Sequence, residues 1–151
     1  MKKICIALDT SPSAEKIANI GYNYAKALNA ELTIIHVVDD TAVYAMDYDP
    51  IMNYDGFLIR RNIEFAEDIK EEAQKFLTET TNFLGDPTIK TKVFEGDTYD
   101  AIMEFCKIST PDLLVVGTHS HSALENLLIG NVATKIVNHS EVPILVIPTK
   151  Q

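Results

Sequence analysis

The chain has 151 residues, a net charge of −9 and 46% hydrophobic residues, which is typical of one globular domain with its own core. Its 13 lysines and arginines form no cluster, which argues against nucleic-acid and anionic-membrane partners, because both require basic residues facing phosphates. No apolar stretch is long enough to cross a bilayer, and "MKKICIAL" meets polar residues too early for a signal peptide. We therefore expect a cytoplasmic protein.

The first part of the chain predicts a strand, a helix and a second strand. Residues 2–8, "KKICIAL", form a short apolar run, and residues 31–38, "ELTIIHVV", form a β-branched run typical of a buried strand. Between them a helix is expected, with Ser11 as its cap and Pro12 in its first turn. The helical spacing predicts a buried stripe made of Ile17, Ile20, Tyr24 and Leu28.

A long connection follows the second strand, and loops of this length are often functional. Helical spacing returns from about residue 62 to residue 84, and Gly85 and Pro87 are expected to end that helix. Its predicted buried stripe is Phe65, Ile69, Ala73, Phe76, Thr80 and Phe83.

The last third of the chain predicts three more strands. Residues 88–95 alternate in polarity, which indicates an edge strand, and the helix after them is expected to be capped by Asp97, with Tyr99, Ile102, Met103 and Cys106 on one face. Residues 112–117 and 142–148 are apolar and predict buried strands, separated by a broken helical region over 122–139. Cys5 and Cys106 both lie in apolar patterns, so we expect buried, reduced thiols.

This βαβαβαβαβ order predicts an α/β fold, in which one domain spanning residues 1–151 has an open parallel five-stranded sheet with helices on both faces. In such sheets, ligands bind outside the carboxyl ends of the strands, where the winding direction reverses. The residues of interest are therefore the strand ends: Asp9, 37–40, 95–97 and 117–121.

The stretch "GTHSHSALENLLIGN", residues 117–131, carries the most specific local signal. Gly117 ends a buried strand, Gly130 follows a short apolar helix, and Asn131 begins another helix, whose free amides and dipole favour an anion. Two interpretations remain open at this point. The glycines either let a phosphate approach the backbone, or they only form a tight turn and a helix break.

The segments "KKICIALDTSPSAEKIANIGYNYAKALNAELTIIHVVD" and "PDLLVVGTHSHSALENLLIGNVATKIVNHSEVPILVIP" resemble the universal stress protein family, and the resemblance covers essentially the whole chain. Nucleotide-binding members of that family carry Gly-x2-Gly-x9-Gly-(Ser/Thr). Here the first and last glycines are Gly117 and Gly130, while Ser120 replaces the middle glycine and Asn131 the hydroxyl residue. Basic residues that members often carry in this loop are missing, which favours a mono- or diphosphate over a triphosphate.

The resemblance implies the adenine nucleotide alpha hydrolase-like, Rossmann-like fold and an adenine nucleotide (ATP, ADP or AMP), with magnesium as an accompanying ion. It places Asp9 near the ribose or the magnesium, and it places Val37 where the backbone contacts the adenine edge, with Ala7 and Val116 as the walls of the base site. The implied nucleotide-binding residues are Ala7, Asp9, Thr10, Val37, Val116, Gly117, His119, Ser120, His121, Gly130, Asn131 and Val132.

Two functions remain open from the sequence. One is a stress-response regulator that binds an adenine nucleotide with little or no catalysis; the alternative is a nucleotide-free dimer that acts through protein contacts. The resemblance implies a homodimer through the last strand, Val142 to Pro148, an apolar segment that would otherwise be an exposed edge. No nucleophile lies in a recognisable triad context, so we expect no enzyme, although slow ATP hydrolysis stays open. His119 and His121 lack a defined third metal ligand.

Overall fold

The computed structural model describes residues 2–39, 56–118 and 130–149. Within these ranges the chain forms five strands and four helices: β1 (Lys3–Leu8), α1 (Ala14–Ala27), β2 (Glu31–Val38), α2 (Gly56–Leu84), β3 (Lys90–Glu95), α3 (Thr98–Ser109), β4 (Leu113–Gly117), α4 (Asn131–His139) and β5 (Ile144–Ile147). No helix in the described ranges is long and apolar enough to cross a membrane.

The strands form one parallel sheet in the order β3-β2-β1-β4-β5, which confirms the predicted fold class. β1 is the central strand. Its register aligns Ile6 with Ile34 of β2 and with Val115 of β4, and all three side chains are fully buried. Continuous apolar burial of this kind is expected where helices cover both faces of a parallel sheet.

Alternate strand residues face two separate cores. Even-numbered residues of β1, such as Ile4 and Ile6, pack with α1 and α2, whereas Cys5 packs with residues of α3 and α4. Both cysteines are free and buried, as predicted. Burial raises the pKa of the Cys5 thiol far above its usual range, with a smaller contribution from Cys106. Both thiols therefore behave as small apolar groups in this core.

The face that α1 buries consists mostly of small residues, and the predicted stripe is partly wrong. Ile17 is buried, but the other buried positions are Ala14, Ala18, Gly21 and Ala25. Tyr24 and Leu28 are 47% and 41% exposed. A Cβ atom on Gly21 would lie 2.9 Å from Ile6 Cγ1 and closer still to its Cδ1. The helix therefore lies too close to β1 for large side chains on this face.

The start of α1 also differs from the prediction. Ser11 accepts the Ala14 amide proton through its carbonyl at 3.0 Å, so a turn precedes the helix and Ser13 becomes its N-cap residue. The Ser11 hydroxyl, which the sequence assigned as the cap, is buried without a hydrogen-bond partner among the described residues. Pro12 lies in the same turn, ahead of the helix.

Helix α2 begins at Gly56, earlier than the predicted residue 62, and ends as predicted at Gly85, whose φ is +69°. Its buried face runs through Ala73, Leu77 and Thr80. Leu77 is fully buried although the predicted stripe omitted it, and Phe83 is 56% exposed although the stripe included it. Leu77 lies one helical turn after Ala73 and therefore on the same face of the helix, whereas Phe83 lies on a different part of the helix surface.

The other elements follow the sequence closely. Among the described residues, β3 pairs only with β2 and is an edge strand, as its polar alternation predicted. Asp97 caps α3 by accepting the Asp100 amide proton at 2.9 Å, and Ile102 and Cys106 are buried. Of the predicted helical region 122–139, the structure describes α4, and the part before residue 130 lies outside the described residues.

The close approach of α1 to β1 gives a direct test of the fold. We expect Gly21→Val to lower the free energy of unfolding by about 1–3 kcal/mol, because the added atoms overlap Ile6. Ala27→Val, on an exposed position of the same helix, is the control for helix propensity and is expected to cost about 0.5 kcal/mol. Urea denaturation measures both; equal losses would contradict the packing described here.

Candidate functional site

A cleft of about 610 Å³ opens at the carboxyl ends of the central strands. The strand order explains its position, because the chain runs from β1 outward to β2 and β3 and then returns to β4 on the other side. Helices α1 and α2 cover one face of the sheet, while α3 and α4 cover the other. The connections after β1 and β4 thus diverge to opposite faces, which leaves a crevice between them.

The cleft has apolar walls and a polar rim. On the side of α3 and α4 it is lined by Ala7, Ile35, Val37, Ile102, Val116, Val132, Ala133 and Ile136. The polar residues that line it are Asp9, Thr10, His36, Asp39, Thr98 and Thr118. None of the described lining residues is a lysine or an arginine, so a bound anion has to rely on dipoles and hydrogen bonds rather than on cationic side chains.

Asp9 follows β1 directly and is half-buried at the cleft. One of its carboxylate oxygens accepts the Ser11 amide proton at 3.1 Å, which holds the turn before α1. Asp9 can therefore hold this turn and face a ligand at the same time, because the hydrogen bond to Ser11 uses only one of its two carboxylate oxygens.

Packing within the protein favours Gly117. Its φ is not positive, so the conformational freedom of glycine is not the reason for it. A Cβ atom at this position would overlap Ile17 Cδ1 of α1 and would lie 3.1 Å from Thr149 Cγ2. The glycine therefore lets the start of α1 and the segment after β5 approach the end of β4.

The two ends of the stretch between β4 and α4 are joined by a hydrogen bond. The Gly130 amide donates to the Thr118 carbonyl, although the two residues are twelve positions apart in sequence. Gly130 has φ −64° and ψ 159° and is the N-cap residue of α4. The first and last glycines of the sequence motif, Gly117 and Gly130, thus both line the cleft.

The start of α4 lies at the cleft and has unused amide groups. Thr134 makes the first α-helical hydrogen bond, to the Gly130 carbonyl at 2.9 Å. The preceding amides, those of Asn131, Val132 and Ala133, have no acceptor among the described residues, and no side chain there caps the helix. At α3, whose Thr98 also lines the cleft, the Asp97 carboxylate already occupies this role. An anion is therefore favoured at α4 and disfavoured at α3.

His36 lines the cleft and was not among the predicted site residues. Its Nδ1–H donates to the Leu8 carbonyl at 2.8 Å, so Nε2 is the acceptor nitrogen of the neutral ring. The ring packs edge-on against Phe76 of α2, with centroids 5.5 Å apart. A histidine next to the carboxyl end of an otherwise apolar strand was the signal available in the sequence.

A sequence model of the universal stress protein family matches residues 1–148. The chain belongs to the universal stress protein family. This confirms the resemblance on which the sequence-based expectations rest. It is 28% identical to universal stress protein A homolog 1 of Coxiella burnetii over 150 residues, covering 99% of this chain and 98% of the relative. It is 30% identical to a universal stress protein of Methanocaldococcus jannaschii over 149 residues, covering 97% and 81%.

Solved structures show the same fold. The hypothetical protein MJ0577 superposes with a TM-score of 0.77 at 22% identity, covering 99% of this chain and 97% of that one. A universal stress protein in complex with cAMP gives 0.63 at 21% identity, covering 99% and 98%. The universal stress protein of Archaeoglobus fulgidus in complex with dAMP gives 0.62 at 15% identity, covering 97% of each chain.

Within this universal stress protein, eight of the implied site residues line one cleft: Ala7, Asp9, Thr10, Val37, Val116, Gly117, Gly130 and Val132. Asn131 is exposed and is not among the lining residues, although Gly130 and Val132 on either side of it are. His119, Ser120 and His121 lie outside the described residues.

The packing of Gly117 gives a second test. We expect Gly117→Ala to destabilise the protein by about 1–3 kcal/mol, because its methyl group overlaps Ile17 Cδ1. Ile17→Val removes that atom, so the double variant should lose less stability than the sum of the two single losses. Ile4→Val is the matched control, since Ile4 and Ile17 are both 2% exposed. Urea denaturation measures these losses of stability. If the losses of Gly117→Ala and Ile17→Val simply add in the double variant, the packing described for Gly117 is wrong.

Proposed function

We propose that this universal stress protein binds an adenine nucleotide in the cleft, with the phosphate at the start of α4 and the base between Ala7, Val37 and Val116. The observation that carries the proposal is the arrangement of the cleft, which places an apolar slot next to the uncapped amides of Asn131, Val132 and Ala133. A flat aromatic base and a phosphate require these two environments side by side.

The related proteins support an adenine nucleotide as the ligand class. Two universal stress proteins of the same fold were solved with cAMP and with dAMP, both of which are adenine nucleotides with a single phosphate. Charge favours a small phosphate group here as well, because Asp9 and Asp39 line the cleft and no described lining residue is a lysine or an arginine. We therefore propose a mono- or diphosphate as the preferred ligand, with magnesium at Asp9 where a longer phosphate chain is bound.

We propose a binding role rather than a catalytic one. Membership of the universal stress protein family supports a stress-response function for the chain. A regulator of this type would respond to the level of the nucleotide through the occupancy of the cleft. The competing function, a nucleotide-free protein that acts only through protein contacts, predicts no binding of any adenine nucleotide.

Calorimetric titration with AMP, ADP and ATP, each with and without magnesium, tests this proposal on the wild type and on two variants at Gly130. At φ −64° and ψ 159° any residue is unstrained, so both variants should fold. The Asp side chain of Gly130→Asp would cap α4 and add a negative charge at the amides; Gly130→Asn adds a nearly isosteric neutral cap.

We expect Gly130→Asp to weaken AMP binding more than tenfold and Gly130→Asn to weaken it substantially less, because only the aspartate repels the phosphate. Equal affinities in the wild type and Gly130→Asp would show that the phosphate binds elsewhere. No heat with any of the nucleotides, in a well-folded wild type, would favour the nucleotide-free function.

We also propose that two copies associate through β5. In the part of the chain that the structure describes, this strand pairs with β4 on one side only, and Ile144, Leu145 and Val146 are half-buried. The carbonyls of Pro143 and Ile147 accept protons from β4, so the alternate residue Val146 directs its amide away from β4, toward the free edge. A second β5 strand would use that amide and cover the exposed side chains.

Sedimentation velocity tests this association. We expect the wild type to sediment as a dimer and Val146→Pro to sediment as a monomer with unchanged far-ultraviolet circular dichroism, because proline removes only an outward-facing donor. A monomeric wild type, or a Val146→Pro variant that remains dimeric, would exclude pairing through this edge.

A further inference from the structure

Thr118 connects three parts of the molecule at the rim of the cleft. Its amide donates to the Ile147 carbonyl of β5 at 3.0 Å, which extends the sheet one residue beyond β4. Its carbonyl accepts the Gly130 amide proton at the start of α4. Its hydroxyl oxygen accepts the Thr149 amide proton at 3.0 Å and also lies 3.0 Å from the Thr149 hydroxyl.

The segment after β5 is itself anchored on its other side. The Lys16 ammonium group of α1 donates to the Pro148 carbonyl at 2.7 Å. Thr149 also packs against the end of β4, where a Cβ atom on Gly117 would lie 3.1 Å from Thr149 Cγ2. The segment that holds the Thr118 hydroxyl therefore has a fixed position between α1 and β4.

This arrangement has a consequence for the cleft. The free amides of α4 follow Gly130 directly, and the Gly130 amide is bound to the Thr118 carbonyl. Any rotation of the peptide unit after Thr118 would move that carbonyl and, with it, the start of α4. The hydroxyl bonds to Thr149 oppose this rotation at a point where the regular ladder between β4 and β5 ends.

We propose that Thr118 is a positioning residue for the anion site: through its hydroxyl bonds to Thr149 it fixes the carbonyl that holds Gly130, and so sets where the α4 amides lie in the cleft. The effect of Thr118 on nucleotide affinity rests on the proposed function. The proposal assigns to the segment after β5 a role in ligand binding, although the described residues of that segment, Pro148 and Thr149, do not line the cleft.

Two variants of Thr118 separate the hydroxyl from the shape of the side chain. Thr118→Val removes the hydroxyl and keeps the branched shape, whereas Thr118→Ser keeps the hydroxyl. Thr80→Val is a close control, because Thr80 and Thr118 are each 9% exposed and the Thr80 hydroxyl also makes a hydrogen bond, to the Phe76 carbonyl of α2. Thr80 does not line the cleft.

We expect Thr118→Val to raise the dissociation constant for AMP about five- to tenfold, the size expected from losing one to two ordinary hydrogen bonds. Thr118→Ser and Thr80→Val should both stay within about twofold of the wild type, even though Thr80→Val also loses a buried hydrogen bond. Unchanged affinity in Thr118→Val, or an equal loss in Thr80→Val, would overturn the inference, since the hydroxyl would then act only on stability.

A double-variant cycle with Thr149→Val tests the connection itself. Because the two hydroxyls share one hydrogen bond, the effects of Thr118→Val and Thr149→Val on AMP affinity should be less than additive. Independent, additive effects would contradict a route through Thr149.

Hydrogen exchange at Gly130 distinguishes failure of this inference from failure of the proposed function. If the wild type does not bind AMP, the proposed function fails, but the Gly130 amide should still exchange faster in Thr118→Val than in Thr80→Val. Equal exchange in the two variants would overturn the positioning role whether or not the nucleotide binds.

Discussion

Parallel pairing of β1 with both β2 and β4 is the constraint on which the rest of the molecule depends. It places β1 at the centre of the sheet, where Ile6 and its neighbours in both strands are fully buried. It also directs the connections after β1 and β4 to opposite faces, so their divergence leaves a crevice at the carboxyl ends of the strands. The close approach of α1, which Gly21 and Gly117 make possible, shapes one side of that crevice.

The charge of the protein determines how an anion can be held there. The chain is strongly acidic, and no described residue of the cleft is a lysine or an arginine. Backbone amides at a helix start attract an anion without a cationic side chain. Both α3 and α4 begin at the cleft, but the Asp97 carboxylate already caps α3 whereas no side chain caps α4. We therefore propose the phosphate at α4 rather than at α3.

Much of the fold could be predicted because each element carried a local signal. The β-branched runs predicted the strands, and the alternation in residues 88–95 predicted an edge strand. Asp97 was predicted to cap a helix, and the structure confirms this cap. The buried face of α1 could not be predicted in the same way. The spacing favours large side chains such as Tyr24, whereas the distance between helix and sheet selects Gly21, and that distance is a property of the tertiary structure.

The site was predictable to the extent that a family motif marks it. The motif placed Gly117 and Gly130 together, and the structure joins their neighbourhoods through the Thr118 carbonyl. The roles of His36 and Thr118 were not predicted, because each depends on a partner far away in sequence, Leu8 and Thr149 respectively. Such pairs leave no local pattern in a single sequence.

The most direct test of the central claim is an amide chemical-shift titration of the labelled protein with AMP, since it reports on individual backbone groups. If the phosphate lies at the start of α4, the largest saturable shifts are expected at Gly130, Asn131, Val132 and Ala133, with smaller shifts at Ala7, Val37 and Val116. Shifts concentrated at the start of α3, around Thr98 and Tyr99, or no saturable shift anywhere in the cleft, would contradict it.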